Sequence, residues 1–244
     1  MVSTLPALIL SAAAVVMIVV GLLPRGADAA PNPMRSKKAT HTVSIAADGS
    51  YTVRMDTQFD LALPTSWTFG GEIYDGFRLP DTESPLPPHL RAEYSQPQGS
   101  IDSAPGEAGV DKHLHSVDIG FSTGELDPGL HRGVLDYAVS GAAVPAQTGR
   151  EENGPEAEDA GGESGVVVYF RPLDRGEVII ESEVPITGVD CEELAPHGQP
   201  CGERAGERWT VDGEDLLRDG QSIDAVRITL DADPRELADP VIDP

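Results

Sequence analysis

From Tyr51 to Leu61 apolar and polar residues alternate. Tyr51, Val53, Met55, Phe59 and Leu61 are separated by Thr52, Arg54, Asp56, Gln58 and Asp60. Successive side chains on a strand point to opposite faces, so this run suits a strand with one face buried and one in water. A helix would scatter the same apolar residues around its circumference. Asp48-Gly49, just upstream, is a preferred two-residue hairpin turn, because both positions tolerate positive φ. A partner strand is therefore expected near residues 41–47.

The same short alternation, punctuated by Gly and Pro, recurs at 72–79, 89–95, 113–121, 132–140, 165–171, 177–184, 207–212 and 222–230. Only "GEDLLRDG" (213–220) suits a helical turn, and residues 80–110 read as a Pro-rich connection. Many short strands with almost no helical periodicity predict an all-β fold, an antiparallel β-sandwich of immunoglobulin-like architecture spanning residues 40–240. Within it, residues 147–165 carry acids and glycines but no large apolar side chain, and are expected to be a disordered loop.

The N-terminus has a different character. Residues 5–23 contain no charge, which predicts a hydrophobic helix. Two readings of residues 1–30 compete. A signal peptide is favoured by the small-residue cleavage site at Ala27 and Ala29. A retained anchor is favoured by a length close to a membrane span, and would associate the protein with a membrane through residues 5–23. The expectation is an exported, extracytoplasmic protein, secreted or held at the cell membrane. Arg25, Arg35, Lys37 and Lys38 after the run would by the positive-inside rule put an uncleaved chain in the cytoplasm, a conflict that cleavage avoids. The formal net charge of −24 excludes nucleic acid as a natural partner and favours cations or basic proteins.

That compartment bears on Cys191 and Cys201, the only cysteines. Paired cysteines persist as disulfides under oxidising conditions. A metal site built on Cys191, His197 and Cys201 would have three ligands and unusual spacing, and free thiols are the remaining option. A disulfide is the expectation.

The runs "VSIAADGSYTVRMDTQFDL", "GVLDYAVSGAA", "ITGVDCEELAPHGQPCG" and "RWTVDGEDLLRDGQSIDAVRITLDAD" occur in that order. Together they resemble the extracytoplasmic N-terminal domain of YciQ-like predicted bacterial membrane proteins, in its actinobacterial form, over roughly residues 40–240. The resemblance implies an exported β-rich domain that begins with a hairpin, with Cys191 and Cys201 at the family's cysteine pair. It brings no established activity, catalytic residue or cofactor. Family members continue into a membrane span after the domain, whereas this sequence stops at Pro244.

Three motifs invite chemical readings. "GFSTG" (120–124) matches the nucleophile elbow, but the elbow needs a helix after Ser122, and Asp127-Pro128-Gly129 and Gly133 break one. "DKHLH" sets Asp111, His113 and His115 on what reads as one strand face, yet that face continues as Val117, Ile119 and Phe121, which suits a core. The carboxylates of 212–215 and 231–239 lack the ordered spacing of a calcium loop. No catalytic residue, metal ligand or cofactor is therefore assigned. The sequence favours a non-enzymatic envelope module that binds a partner, an envelope protein or a cation, or serves a structural part. An envelope hydrolase and a calcium-dependent adhesion module are the alternatives.

Overall fold

The computed structural model describes residues 34–74, 76–78, 89–113, 116–146, 165–174, 176–192, 199–213, 216–218, 221–222, 225–237 and 241–243. The expected N-terminal helix, Ala27, Ala29 and residues 147–164 of the acidic loop lie outside the described residues. Everything described belongs to one unit, Met34–Pro244. Among the described residues no helix is long and apolar enough to cross a membrane.

The unit is nearly all β. In chain order the first strands are β1 (Met34–Ile45), β2 (Tyr51–Leu61), β3 (Thr65–Tyr74), β4 (Gly76–Arg78), β5 (His89–Arg91), β6 (Glu93–Ile101) and β7 (Ala104–Gly106). Next come β8 (Ala108–Lys112), β9 (Ser116–Leu126), β10 (Gly129–Ser140), β11 (Ala143–Pro145), β12 (Val166–Phe170), β13 (Glu177–Ser182) and β14 (Ile186–Glu192). The last are β15 (Gln199–Pro200), β16 (Glu203–Ala205), β17 (Arg208–Val211), β18 (Leu217–Arg218), β19 (Gln221–Ser222), β20 (Ala225–Leu230) and β21 (Val241–Asp243). A short 3-10 turn, Pro234–Glu236, precedes β21.

An eight-stranded sheet runs β16-β17-β13-β1-β2-β10-β6-β7 and a five-stranded sheet runs β11-β12-β20-β14-β15. Smaller sheets are β3-β9-β8, β21-β5-β4 and β18-β19. The described pairings are antiparallel except β1 with β13, which run parallel with His41 beside Val178.

The alternation of β2 is realised as read. Tyr51, Val53, Met55, Thr57, Phe59 and Leu61 are buried, and Thr52, Arg54 and Gln58 are exposed. Register carries this pattern to both neighbours, where Val43 and Tyr137 flank Val53. The outer face carries ion pairs instead. Arg54 meets Asp136 at 3.3 Å, and Arg132 Nε donates to Asp56 at 3.0 Å. The core also joins sheets. Tyr51 Oη donates to the Tyr169 carbonyl at 3.0 Å and its ring meets Phe170 edge-on, linking β2 to β12 of the five-stranded sheet. β12 is buried along its whole length, which explains its unbroken Val-Val-Val-Tyr-Phe run.

Several expectations need correction. The β1–β2 hairpin has a longer loop than the two-residue turn. Gly49 is its left-handed residue (φ +79°), while Asp48 accepts from the Ser50 amide at 3.0 Å. The tight turn lies elsewhere, at Asp102-Ser103 between β6 and β7, with φ of 47° and 71°. Residues 80–110 are not one connection, because β5, β6, β7 and β8 fall within or across that stretch. β3 begins at Thr65, ahead of the expected 72. In "GEDLLRDG" the described Leu217–Arg218 form β18, so the expected helical turn is absent there.

Candidate functional site

Cys191 and Cys201 form a disulfide, with Cα atoms 5.7 Å apart. Cys191 lies on β14, and Cys201 follows β15 where the chain leaves the five-stranded sheet for β16 of the eight-stranded one. Gly202 makes the corner at φ +73°, and a Cβ there would lie 2.5 Å from the Thr210 carbonyl oxygen. Trp209 Nε1 donates to the Cys201 carbonyl at 3.0 Å, fixing the corner from β17. The bond consumes both thiols, so neither supplies a thiolate to a metal or a substrate. His197 lies outside the described residues.

Ser122 sits within strand β9, exposed, its Oγ 3.4 Å from Thr68 Oγ1 on β3. The next residue, Thr123, takes the Trp67 amide at 2.9 Å and donates to the Trp67 carbonyl at 3.0 Å. The strand runs on to Leu126, so no helix start stands behind the serine and the elbow does not form.

"DKHLH" folds differently from the expected single strand face. Asp111 ends up on β8 and Val117, Ile119 and Phe121 on β9, with the chain reversing between them as the His113 amide donates to the Ser116 carbonyl at 2.8 Å. The reversal sets Asp111 opposite Asp118, and Glu72 of β3 flanks Asp118 on the other side. His113 Nε2 lies 2.9 Å from Asp118 Oδ2, and Ser116 Oγ donates to Glu72 at 2.6 Å. His115 is outside the described residues. Among the described residues no group of three or more His, Cys, Asp or Glu is arranged to hold a metal. Within 231–239, Asp233 caps the 3-10 turn by accepting from the Arg235 amide at 3.0 Å.

Two histidines not singled out in the sequence are more informative. His41 points into the core from β1 and is wholly buried. Neither ring nitrogen makes a hydrogen bond of normal geometry, although the Glu177 backbone lies close enough to favour the proton weakly. Loss of water lowers its pKa to about 4, against the opposing pull of Asp174, so the ring is neutral at ordinary pH. Thr57, diagonal to it on β2, is also buried with an unpartnered hydroxyl.

His131, on β10, is the opposite case. Its Nδ1 lies 2.7 Å from Asp102 Oδ2 and its Nε2 lies 2.8 Å from the Asp127 carbonyl oxygen. The ring leans on Phe59 at 5.6 Å, and Phe59 stacks on Trp67. The Asp102 hydrogen bond, then the Asp127 carbonyl, raise its pKa. Partial burial pushes the Asp102 carboxyl up, but the Arg132 amide and the His131 ring together hold it below the usual range. The sequence carries no local signal for this pair, since the partners stand 29 residues apart.

No known protein family matches the chain, and no curated protein matches it. Solved structures resemble it distantly. Native yeast LTA4 hydrolase aligns at 10% identity and a TM-score of 0.40, over 84% of this chain and 32% of that one. An M1 zinc metallopeptidase from Deinococcus radiodurans aligns at 11% and 0.32, over 80% and 42%. An aminopeptidase N family protein from Idiomarina loihiensis aligns at 9% and 0.34, over 79% and 29%. The chain thus spans less than half the length of each of these enzymes.

Proposed function

We propose that this chain is an extracytoplasmic β-sandwich module of the bacterial cell envelope, of the YciQ-like kind, that acts by binding or as a structural part of a membrane-associated assembly. The observation that carries the reading is the Cys191–Cys201 disulfide at the corner between two sheets. A chain kept in a reducing cytosol would rarely retain such a bond. Contacts such as Tyr51 with Tyr169 and Phe170, which join faces of two sheets, support the sandwich architecture. The strongly acidic surface suits a basic partner protein or cations.

The test is made in living cells. Cells are quenched in acid to freeze thiol exchange, and the protein is alkylated before and after reduction. Cysteines that react only after reduction, together with digestion by protease added to spheroplasts, support the proposal. Two free thiols in the quenched cells, or full protection from the protease, would place the domain on the cytoplasmic side and overturn it. Crosslinking in the intact envelope then identifies what the module touches.

A further inference from the structure

The atoms around His131 leave little freedom in assigning its protons. A backbone carbonyl oxygen only accepts hydrogen bonds, so Nε2 must donate to Asp127. Asp102 is also an acceptor, since its Oδ1 takes the Arg132 amide at 2.9 Å while its Oδ2 faces Nδ1. With Asp102 ionised, both contacts are hydrogen bonds at once only when both ring nitrogens carry protons, so the geometry is that of an imidazolium. It joins two turns from different parts of the chain. Asp102 belongs to the β6–β7 turn, whose residues 102 and 103 are both left-handed without being glycine. Asp127 belongs to the β9–β10 turn, and Leu130, a leucine 73% exposed, follows that turn at the start of β10.

We propose that His131 is a proton-operated clasp that ties the β9–β10 turn to the β6–β7 turn as imidazolium and releases the β9–β10 turn when Nε2 loses its proton. The release is one-sided. An imidazole beside a carboxylate keeps the proton that the carboxylate accepts, so Nδ1–H stays on Asp102. Nε2 then turns a lone pair toward the lone pairs of the Asp127 carbonyl, and that contact becomes repulsive. The groups facing the ring fit this behaviour. Asp102 and Asp127 both favour the charged ring, and β2 contributes Phe59, whose ring lies 5.6 Å away. Arg132 is engaged with Asp56, and Lys37, across Phe59 on β1, is engaged with Asp174. Because the folded-state pKa is raised above the ordinary 6.5, the clasp is fully closed below that value and opens as pH rises through the raised one.

The experiment follows the full chain, isotopically labelled, by NMR from pH 5 to 9, reading His131 protonation and tautomer together with amide exchange at Gly129, Leu130 and Arg132. The expected result is a single midpoint for ring deprotonation and for increased exchange at Gly129 and Leu130, corrected for the intrinsic pH dependence of exchange. Arg132 should stay protected, and the neutral ring should carry its proton on Nδ1. Asp102→Asn should lower both midpoints together by about one pH unit or more, which a purely structural contact would not do. A neutral ring protonated on Nε2, turn exchange that ignores His131 titration, or unchanged midpoints in Asp102→Asn would each overturn the proposal. If Asp102→Asn fails to fold, the tautomer of the unaltered protein decides alone.

Discussion

Phe121 fills the space that a side chain at Gly99 would need. A Cβ built at Gly99 would lie 2.2 Å from Phe121 Cδ1, and one at Gly106, the cross-strand partner of Gly99, would lie 2.6 Å from Cδ2 of the same ring. The ring thus brings β9 of the three-stranded sheet against bare backbone of β6 and β7. Gly99→Ala should destabilise the fold by about 1–3 kcal/mol through overpacking. Gly109→Ala, where a Cβ meets nothing within 4 Å, should be much milder. Urea unfolding of the two variants checks the contrast, and Phe121→Leu should recover part of the Gly99→Ala loss.

His41 should make the protein sensitive to acid. Its folded-state pKa of about 4 lies below the ordinary 6.5, so the unfolded chain binds the extra proton between those values. Stability therefore falls as pH drops from 6.5 toward 4, with an upper limit of about 3 kcal/mol from this residue. His41→Leu should remove that component. The stability difference between pH 7 and pH 5, read from denaturant midpoints, should shrink by about 2 kcal/mol relative to the parent protein. An unchanged difference would mean that the ring does not stay neutral in the core.

The disulfide should contribute measurably to stability. Purified protein should show no reactive thiol under denaturing conditions until it is reduced. Replacing both Cys191 and Cys201 by Ser should lower unfolding stability by about 3 kcal/mol, the scale expected for closing a short loop. Because Trp209 is bonded to the Cys201 carbonyl, its fluorescence should report the change.

The ends of the acidic segment are already held together, since the Ala146 amide donates to the Gly165 carbonyl at 2.9 Å and Pro145 pairs with Val166. Replacing residues 147–164 by a short Gly-Ser turn should therefore leave the melting temperature nearly unchanged. Closure entropy varies by only about 0.6 kcal/mol per doubling of length. A large loss would show that the acidic residues pack on the fold.

What could be read from the sequence was the part of the fold that repeats locally. β2 was legible because each of its neighbours reinforces one clean alternation. β6 was legible only in its first residues, since beyond Ser95 Pro97 and the left-handed Gln96 (φ 54°) interrupt its pattern and the register with β10 slips between Asp136 and Ala138. β14 has a similar slip between Ile186 and Gly188. The cysteine pair was legible because its partners are near in sequence and their chemistry is distinctive. The His131–Asp102 contact depends on β6 pairing with β10 across 29 residues of chain, and His41 is buried where Phe170 of β12, in the five-stranded sheet, meets its ring. Neither leaves a trace in local spacing.

The parallel neighbour of β1 has a consequence for synthesis. A ribosome delivers β1 and β2 early, and their hairpin can close on its own contacts. The other edge of β1 must wait for β13, since Thr40 and Glu177 are 137 residues apart (177 − 40). Until then that edge remains a template for any passing strand. Contacts of such long range slow folding and lengthen exposure to aggregation. The largest sheet thus stays half-built until β13 has been added, and a holding chaperone that masks the β1 edge should raise the yield of folded protein.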